Sequence, residues 1–310
     1  MIICCGEALI DFIPTPDGSA YRPCPGGSIL NIAVGLGRMQ VPVGFLSRLS
    51  NDLFGDLLSD HLLRDQVNLH FCPRIDGQTT LAFVSLRDEL GVEPQYAFYA
   101  TGAVDREMTV EDLPKQFENE VLALHFGSIS LVLEPGATAL ETLMKRESRK
   151  KVLTLDPNVR PALISDVENY RLRFSRWVSL VDILRLSQVD FAYLYPGKDI
   201  IELLPEWFNA GLSLIILTQG ENGSSAYLPN GTQVFVPAPK VKVKDTVGAG
   251  DAYFSAALAF LYDHGKLSDR SLISGMNAKE LKACLLFASK AAAINCTREG
   301  ANPPSRHEMD

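Results

Sequence analysis

From Ile2 to Ile294, short β-rich apolar runs alternate with longer amphipathic stretches, and this alternation narrows the fold more than any other feature. The apolar runs Ile2–Cys5, Val43–Leu46, Leu122–Phe126, Val152–Leu155, Ile183–Leu186 and Leu214–Thr218 read as strands. The stretches Ser28–Met39, Leu53–Gln66, Glu134–Arg149, Gly197–Ala210, Gly248–Asp263 and Ala278–Ile294 read as helices. A repeated strand-then-helix order calls for a mostly parallel sheet with helices on both faces, because a parallel crossover needs a connection of helix length. The expectation is an α/β fold, a three-layer α/β/α sandwich, with ligands at the carboxyl ends of its strands. The 310 residues suffice for one large core, and without a long linker or internal repeat the chain 1–310 reads as a single domain.

Two segments break the rhythm. Residues 12–25 are rich in Pro and Gly, and residues 79–99 read as two extended runs, Thr80–Leu86 and Gln95–Tyr99, around a polar turn containing Gly91. Two β-type insertions in an α/β chain point to a small separate sheet, and a hinged lid over the mouth of a site is one physical use for it. Its edges would offer pairing surfaces for two copies of the chain, a homodimer.

Composition removes several classes. Hydrophobic residues make up 46% and charged residues 21%, as in an ordinary globular protein, and the net charge of −8 with no Lys/Arg cluster argues against nucleic acid as a partner. No apolar run approaches the roughly 18 residues of a membrane span. Glu7 and Asp11 interrupt the first apolar run and no basic segment precedes it, so it does not read as a signal peptide. The six cysteines contain no C-x-x-C pair, which disfavours a zinc framework and fits a cytoplasmic protein with reduced thiols.

The chemistry is carried by Asp245-Thr-Val-Gly-Ala-Gly-Asp251 and the run of helix formers after it. Gly248, Ala249 and Gly250 form a tight turn opening into a helix. The first N–H groups of a helix lack intrahelical acceptors, and glycine lets an oxyanion approach them. Asp251 stands beside that anion site. A carboxylate there can take the proton of an attacking hydroxyl while the amides hold charge on a transferred phosphoryl group. The helix dipole favours its ionised form. An isolated Asp at such a place more often only caps its helix. Neither a Walker A loop nor a G-x-G-x-x-G fingerprint occurs, which argues against an NAD-dependent dehydrogenase.

This stretch resembles the D-T-x-G-A-G-D signature of the PfkB, ribokinase-like carbohydrate kinases. Pro25-Gly-Gly-Ser-Ile-Leu-Asn-Ile-Ala-Val-Gly-Leu-Gly-Arg38 and Asn51-Asp-Leu-Phe-Gly55 resemble the N-terminal signature of the same family. Leu124-His-Phe-Gly-Ser128, Asp156-Pro-Asn-Val-Arg-Pro161 and Cys296-Thr-Arg-Glu-Gly-Ala-Asn302 look like bacterial fructokinases in particular. The resemblance implies a ribokinase-like fold with a small β lid, and ATP-dependent transfer of the γ-phosphoryl to a primary hydroxyl of a small sugar, D-fructose first. Other substrates within the same chemistry are 2-keto-3-deoxygluconate, ribose or a nucleoside. A noncatalytic sugar- or nucleotide-binding regulator is the alternative of another class.

The resemblance also implies roles. Asp251 would be the base, with Gly248, Ala249 and Gly250 holding charge. Asp11, Gly26, Gly27, Asn31, Phe98 and Arg160 would contact the sugar. Asn158, Thr218, Gly220, Gly223, Gly248 and Gly250 would line the ATP phosphates, with Asn277 or Ala288 near the adenine. Asp190, in Ser187-Gln-Val-Asp190, would help hold hydrated Mg²⁺, and Asp245 with the carbonyl of Val247 and backbone oxygens near Cys296 and Gly300 would hold K⁺. The chain departs from the usual Gly-Gly-Ala-Pro-Ala at Ser28, Ile29 and Leu30, has serines in Leu46-Ser-Arg-Leu-Ser-Asn51 where glycines are commoner, and has Ala100 where an Arg often points toward substrate. These departures bear on which sugar is taken, not on phosphoryl transfer.

Overall fold

The computed structural model describes residues 1–15, 17–85 and 95–309. In chain order its elements are β1 (Ile2–Cys5), β2 (Leu9–Pro14), β3 (Tyr21–Gly26), α1 (Ser28–Arg38), β4 (Val43–Leu46), β5 (Leu49–Ser50), α2 (Leu53–Arg64), β6 (Asn68–Phe71), β7 (Arg74–Ile75), β8 (Thr80–Ser85) and β9 (Gln95–Tyr99). There follow β10 (Ala123–Gly127), α3 (Gly136–Glu147), β11 (Val152–Asp156), α4 (Val167–Val178), β12 (Ile183–Ser187), α5 (Gln188–Leu194), α6 (Ile200–Ala210) and β13 (Leu214–Thr218). The last are β14 (Ser224–Tyr227), β15 (Gln233–Val236), α7 (Ala249–Asp263), α8 (Arg270–Ser274) and α9 (Ala278–Cys296).

Nine strands form one sheet in the order β15-β14-β13-β12-β11-β10-β1-β4-β6. It is parallel except where β14 pairs antiparallel with β13 and with β15. Its central strands β1, β4, β10 and β11 are buried on both sides because both faces are covered, whereas the edge strands β6 and β15 are partly exposed. Ile2 and Cys4 belong to a core shared with α1, α7 and α9, whereas Ile3 and Cys5 belong to one built with α3, α4 and α6 around Trp177 and Trp207. The cysteines at 4 and 5 are therefore core residues, fully buried with raised thiol pKa values, as their apolar setting demands.

The second sheet has the order β3-β2-β8-β9. It starts three residues earlier than the Pro/Gly-rich segment suggested, at Leu9, since β2 and β3 form an antiparallel pair running from Leu9↔Gly26 to Pro14↔Tyr21. The turn around Gly91 lies outside the described residues. Alternation along β2 puts Asp11 on one face and Phe12 on the other. Phe12 stacks on Phe83 with ring centroids 4.6 Å apart and meets Phe54 of α2 edge-on.

Three helices, α4, α5 and the short α8, escaped the sequence pattern. α4 buries Tyr170, Phe174, Trp177 and Val178 but carries Glu168, Arg171, Arg173 and Arg176 between them, which masks its apolar stripe. The stretch expected as one helix from Gly197 starts at Ile200, where Asp199 and Glu202 form a capping box, and α5 precedes it with its own box from Ser187 and Asp190.

Candidate active site

Strands β10 to β13 end side by side in Gly127, Asp156, Ser187 and Thr218, and the N-terminus of α7 comes down beside them. Gly248 is the N-cap of α7 with φ 73°, a left-handed conformation that disfavours a side chain, and a Cβ there would lie 2.5 Å from that of Ala301. Asp251 is the third helical residue. The amide of Ala249 donates to the carbonyl of Thr246 at 3.2 Å, so of the three residues expected to hold negative charge it is the one whose N–H the turn already uses.

Packing of α1 against α7 completes the surroundings of Asp251. Gly35 of α1 lies against Ser255 of α7, where a Cβ would sit 2.3 Å from the serine hydroxyl. This close approach brings the first turn of α1 to the first turn of α7. There the Ser28 hydroxyl donates to Asp251 Oδ1 at 2.7 Å and the Asn31 amide donates to Oδ2 at 2.8 Å. Burial raises the pKa of Asp251, against the hydrogen bonds from Ser28 and Asn31 and the charges of Arg185 and Arg160. Burial thus works against the helix dipole, which favours the ionised carboxylate.

Asp251 lines a cavity of about 300 Å³ together with Asp11, Gly27, Asn31, Phe98, Asn158 and Arg160. Burial pushes Asp11 up to about 7, with Arg160 acting against and Asp251 with that shift. Gly26 has no side chain because Asp11 takes the space: a Cβ would lie 2.1 Å from Asp11 Oδ2. A second cavity of about 760 Å³ adjoins it, lined by Thr218, Gly220, Gly223, Tyr253, Ala292 and Ala293 among others, a size suited to a cofactor-scale molecule. Arg185, Ala249 and Gly250 line both cavities.

Arg185 is the functional candidate that sequence reading missed. Its guanidinium lies at the junction, donating to Asp156 Oδ2 at 2.7 Å and to the Thr218 hydroxyl at 2.6 Å, close enough to Gly250 that a Cβ there would meet both terminal nitrogens at 3.0 Å. Its Nε has no partner. Burial works against its charge, but Asp156 and Asp190 more than compensate and its pKa is raised. The available signal was a charged residue inside the apolar run Ile183-Leu-Arg-Leu186.

Several expected residues stand elsewhere. Asn158, with φ 37°, lines the smaller cavity and accepts from Arg160 Nη1 at 2.7 Å. Asn277 caps α9 through the amides of Lys279 and Glu280, and Ala288 is fully buried, so neither lines the larger cavity, whose α9 wall is Ser289, Ala292, Ala293 and Cys296. One turn of helix separates Ala288 from Ala292, which is how a sequence reading misses the facing residue. Ile29 and Leu30 are fully buried in the core and Ala100 is buried at the end of β9, none of them on the smaller cavity.

The description "pfkB family carbohydrate kinase" matches residues 1–308. The chain belongs to that family. This carbohydrate kinase is 36% identical over 277 residues to a fructokinase of Rhizobium leguminosarum bv. trifolii, covering 88% of the chain and 83% of that protein. A solved fructokinase of Xylella fastidiosa with bound ATP superposes with TM-score 0.91 at 28% identity, over 99% of this chain and 96% of that one. A Vibrio cholerae O395 fructokinase in a form with fructose, ADP and calcium ion does so with TM-score 0.83 at 25% identity, over 99% and 95%. The fold is thus ribokinase-like, and the chain is a phosphotransferase with an alcohol group as acceptor.

The oxygen donors of the kinase differ in how well they suit a metal ion. Asp190 accepts from the Val159 amide through Oδ1 and from the Ser187 amide and hydroxyl through Oδ2, and it lines neither cavity, so a direct metal ligand it is not; the expected hold on hydrated Mg²⁺ runs through water. The Asp190 carboxylate stays inside the capping box that it forms with Ser187. Asp245 accepts from the amides of Val247 and Gly300, and the Val247 carbonyl from Asn295 Nδ2 at 2.8 Å. Each of these oxygens keeps acceptor capacity and fits a monovalent cation. The Cys296 carbonyl already takes the amides of Lys244 and Asp245 and fits less well.

Proposed function

We propose that this kinase transfers the γ-phosphoryl of MgATP to a terminal primary hydroxyl of D-fructose. The observation that carries the reading is a buried carboxylate, Asp251, in the smaller cavity, next to the Ala249–Gly250 helix start and Arg185 that border both cavities. Fructose hydroxyls are bound in the smaller cavity by Asp11, Asn31, Arg160 and the Gly27 backbone, with Phe98 along one wall. ATP occupies the larger one, its phosphates against Thr218, Gly220 and Gly223. Asp251 takes the hydroxyl proton, the freed oxygen forms the new bond to γ-phosphorus, and the bond to the β–γ bridging oxygen breaks, its electron pair leaving with ADP. Arg185 and the amides of Gly248 and Gly250 stabilise the charge on the transferring group. Mg²⁺, which commonly keeps water and phosphate ligands, would come with ATP and would offset phosphate charge. K⁺ would be held by Asp245 and the Val247 carbonyl and would supply positive charge behind the anion turn.

The small sheet serves as a lid, its Asp11 face over the sugar and its closure excluding water. Its other face exposes Tyr21 and Tyr99 edge-on to Phe83, and this aromatic patch supports a homodimer through the lids in a cytoplasmic enzyme. A monomer by light scattering at micromolar concentration would remove the dimer.

The test of function is ADP release with MgATP over a sugar panel. Fructose-dependent release is expected, and Asp251→Asn should lower kcat by about 10²–10⁴ without unfolding the protein. Near-normal turnover of that variant refutes the assignment of the base. Arg160 in the sugar cavity favours 2-keto-3-deoxygluconate as the second candidate, since a guanidinium pairs with a carboxylate. Release with the sugar acid but not with fructose would select it.

A further inference from the structure

We propose that Ser28 is a positioning residue for catalysis: its hydroxyl locks the plane of the Asp251 carboxylate from across the α1–α7 interface. The proposal rests on Asp251 as the base. Ser28 is the first helical residue of α1, yet its hydroxyl makes no cap bond to its own helix and reaches Asp251 Oδ1 at 2.7 Å. Asn31 holds Oδ2 at 2.8 Å. With one donor on each oxygen, rotation about the Cβ–Cγ bond would break a hydrogen bond at either end. Each oxygen retains acceptor capacity for the substrate hydroxyl. A base held in its productive orientation avoids the ordering cost that a freely turning carboxylate meets at each turnover.

Ser28 also separates from the other departures in its segment. Ile29 and Leu30 are fully buried core residues away from the cavity, whereas Ser28 lines it. An alanine at 28 would leave Oδ1 without its donor. The turn is fixed from behind: Gly27 adopts φ 103° against the side chain of Glu7, whose Oε1 accepts from the Ile29 amide at 3.4 Å. The hydroxyl is therefore presented by a backbone already anchored on β1's side of the site.

The charged groups around Asp251 are Glu7 from the loop after β1, Asp11 from β2, Asp156 from β11, Arg160 from the loop after β11, and Arg185 from β12. All stay in place in Ser28→Ala, so a difference between that variant and wild type reports the lost donor. A hydrogen bond to the ionised carboxylate favours ionisation, and removing it makes the base easier to protonate.

The experiment compares wild type, Ser28→Ala, Ser28→Thr and Asp251→Asn by kcat and KM from pH 5 to 9 (roughly the range in which such groups titrate), with thermal unfolding as the control for folding. Ser28→Ala is expected to melt close to wild type, to lose about tenfold or more in kcat at pH 7, to keep its KM for ATP, and to show the acidic limb of kcat moved to higher pH. Ser28→Thr, which keeps the hydroxyl, should recover both rate and limb. A wild-type rate in Ser28→Ala, or a lower rate with the limb unmoved, overturns the proposal. An active Asp251→Asn enzyme overturns the base reading itself, and Ser28 with it.

Discussion

Replacing Arg185 with Met should unfold much of the margin that keeps this chain native. The Arg185–Asp156 pair is 2.7 Å long, with side-chain exposures of 8% and 0%. Burial already pushes Asp156 up to about 6 against the pull of Arg185. Methionine fills most of the volume but leaves the Asp156 carboxylate in the core without its counter-charge, and Thr218 without its donor. Breaking a buried pair from one side costs about 3–5 kcal/mol, a large part of the roughly 5–15 kcal/mol that holds a folded protein together. Adding Asp156→Asn removes the stranded charge at constant shape, so the double variant should recover most of the loss. Urea unfolding of wild type, both single variants and the double variant, without ligands, closes a double-mutant cycle. A coupling energy below about 1 kcal/mol, or a double variant no more stable than Arg185→Met, would show that the pair is not the buried unit described. Activity is a separate readout: the double variant should be folded yet poor in kcat, because nothing replaces the guanidinium at the cavity junction.

Stability of the ligand-free protein should fall as pH rises from about 5.5 through 7. Glu7 and Asp11, pushed up to about 7, and Asp105 and Asp156, to about 6, hold protons in the folded chain that the unfolded chain has already released. His125, held down to about 3 by burial, and His61, also lowered by burial, act in the opposite sense, but two imidazoles face four carboxyls; a melting temperature that climbs across that window contradicts the assignment. Gly223→Ala should destabilise the fold by at least about 2 kcal/mol and raise KM for ATP, because the residue has φ 114° and an added Cβ would lie 2.1 Å from the Val236 carbonyl. A melting curve and KM matching wild type would show that the turn relaxes freely.

Much of this protein could be read without coordinates, for local reasons. Parallel strands covered on both faces are mostly apolar, so β1, β4 and β13 stand in the sequence with the bounds they have in the fold, β11 and β12 run one residue further, and β10 is shifted by one residue. The Gly248–Asp251 turn is equally local: a left-handed glycine, a helix start and a carboxylate are consecutive in the chain, and glycine is needed whatever packs nearby. Tertiary structure alone decided what meets Asp251. Ser28 and Asn31 lie 223 and 220 positions away, and only the close approach at Gly35 and Ser255 brings them to it. Arg185 becomes meaningful only when β12 is placed between β11 and β13, with Asp156 and Thr218 beside it. The wall of the larger cavity depended on the rotation of α9, which exposes Ala292 and Ala293 and buries Ala288. α9 is apolar enough on several faces that its own sequence does not say which one is turned to the ligand, since that choice is made by the helices and strands packed against it.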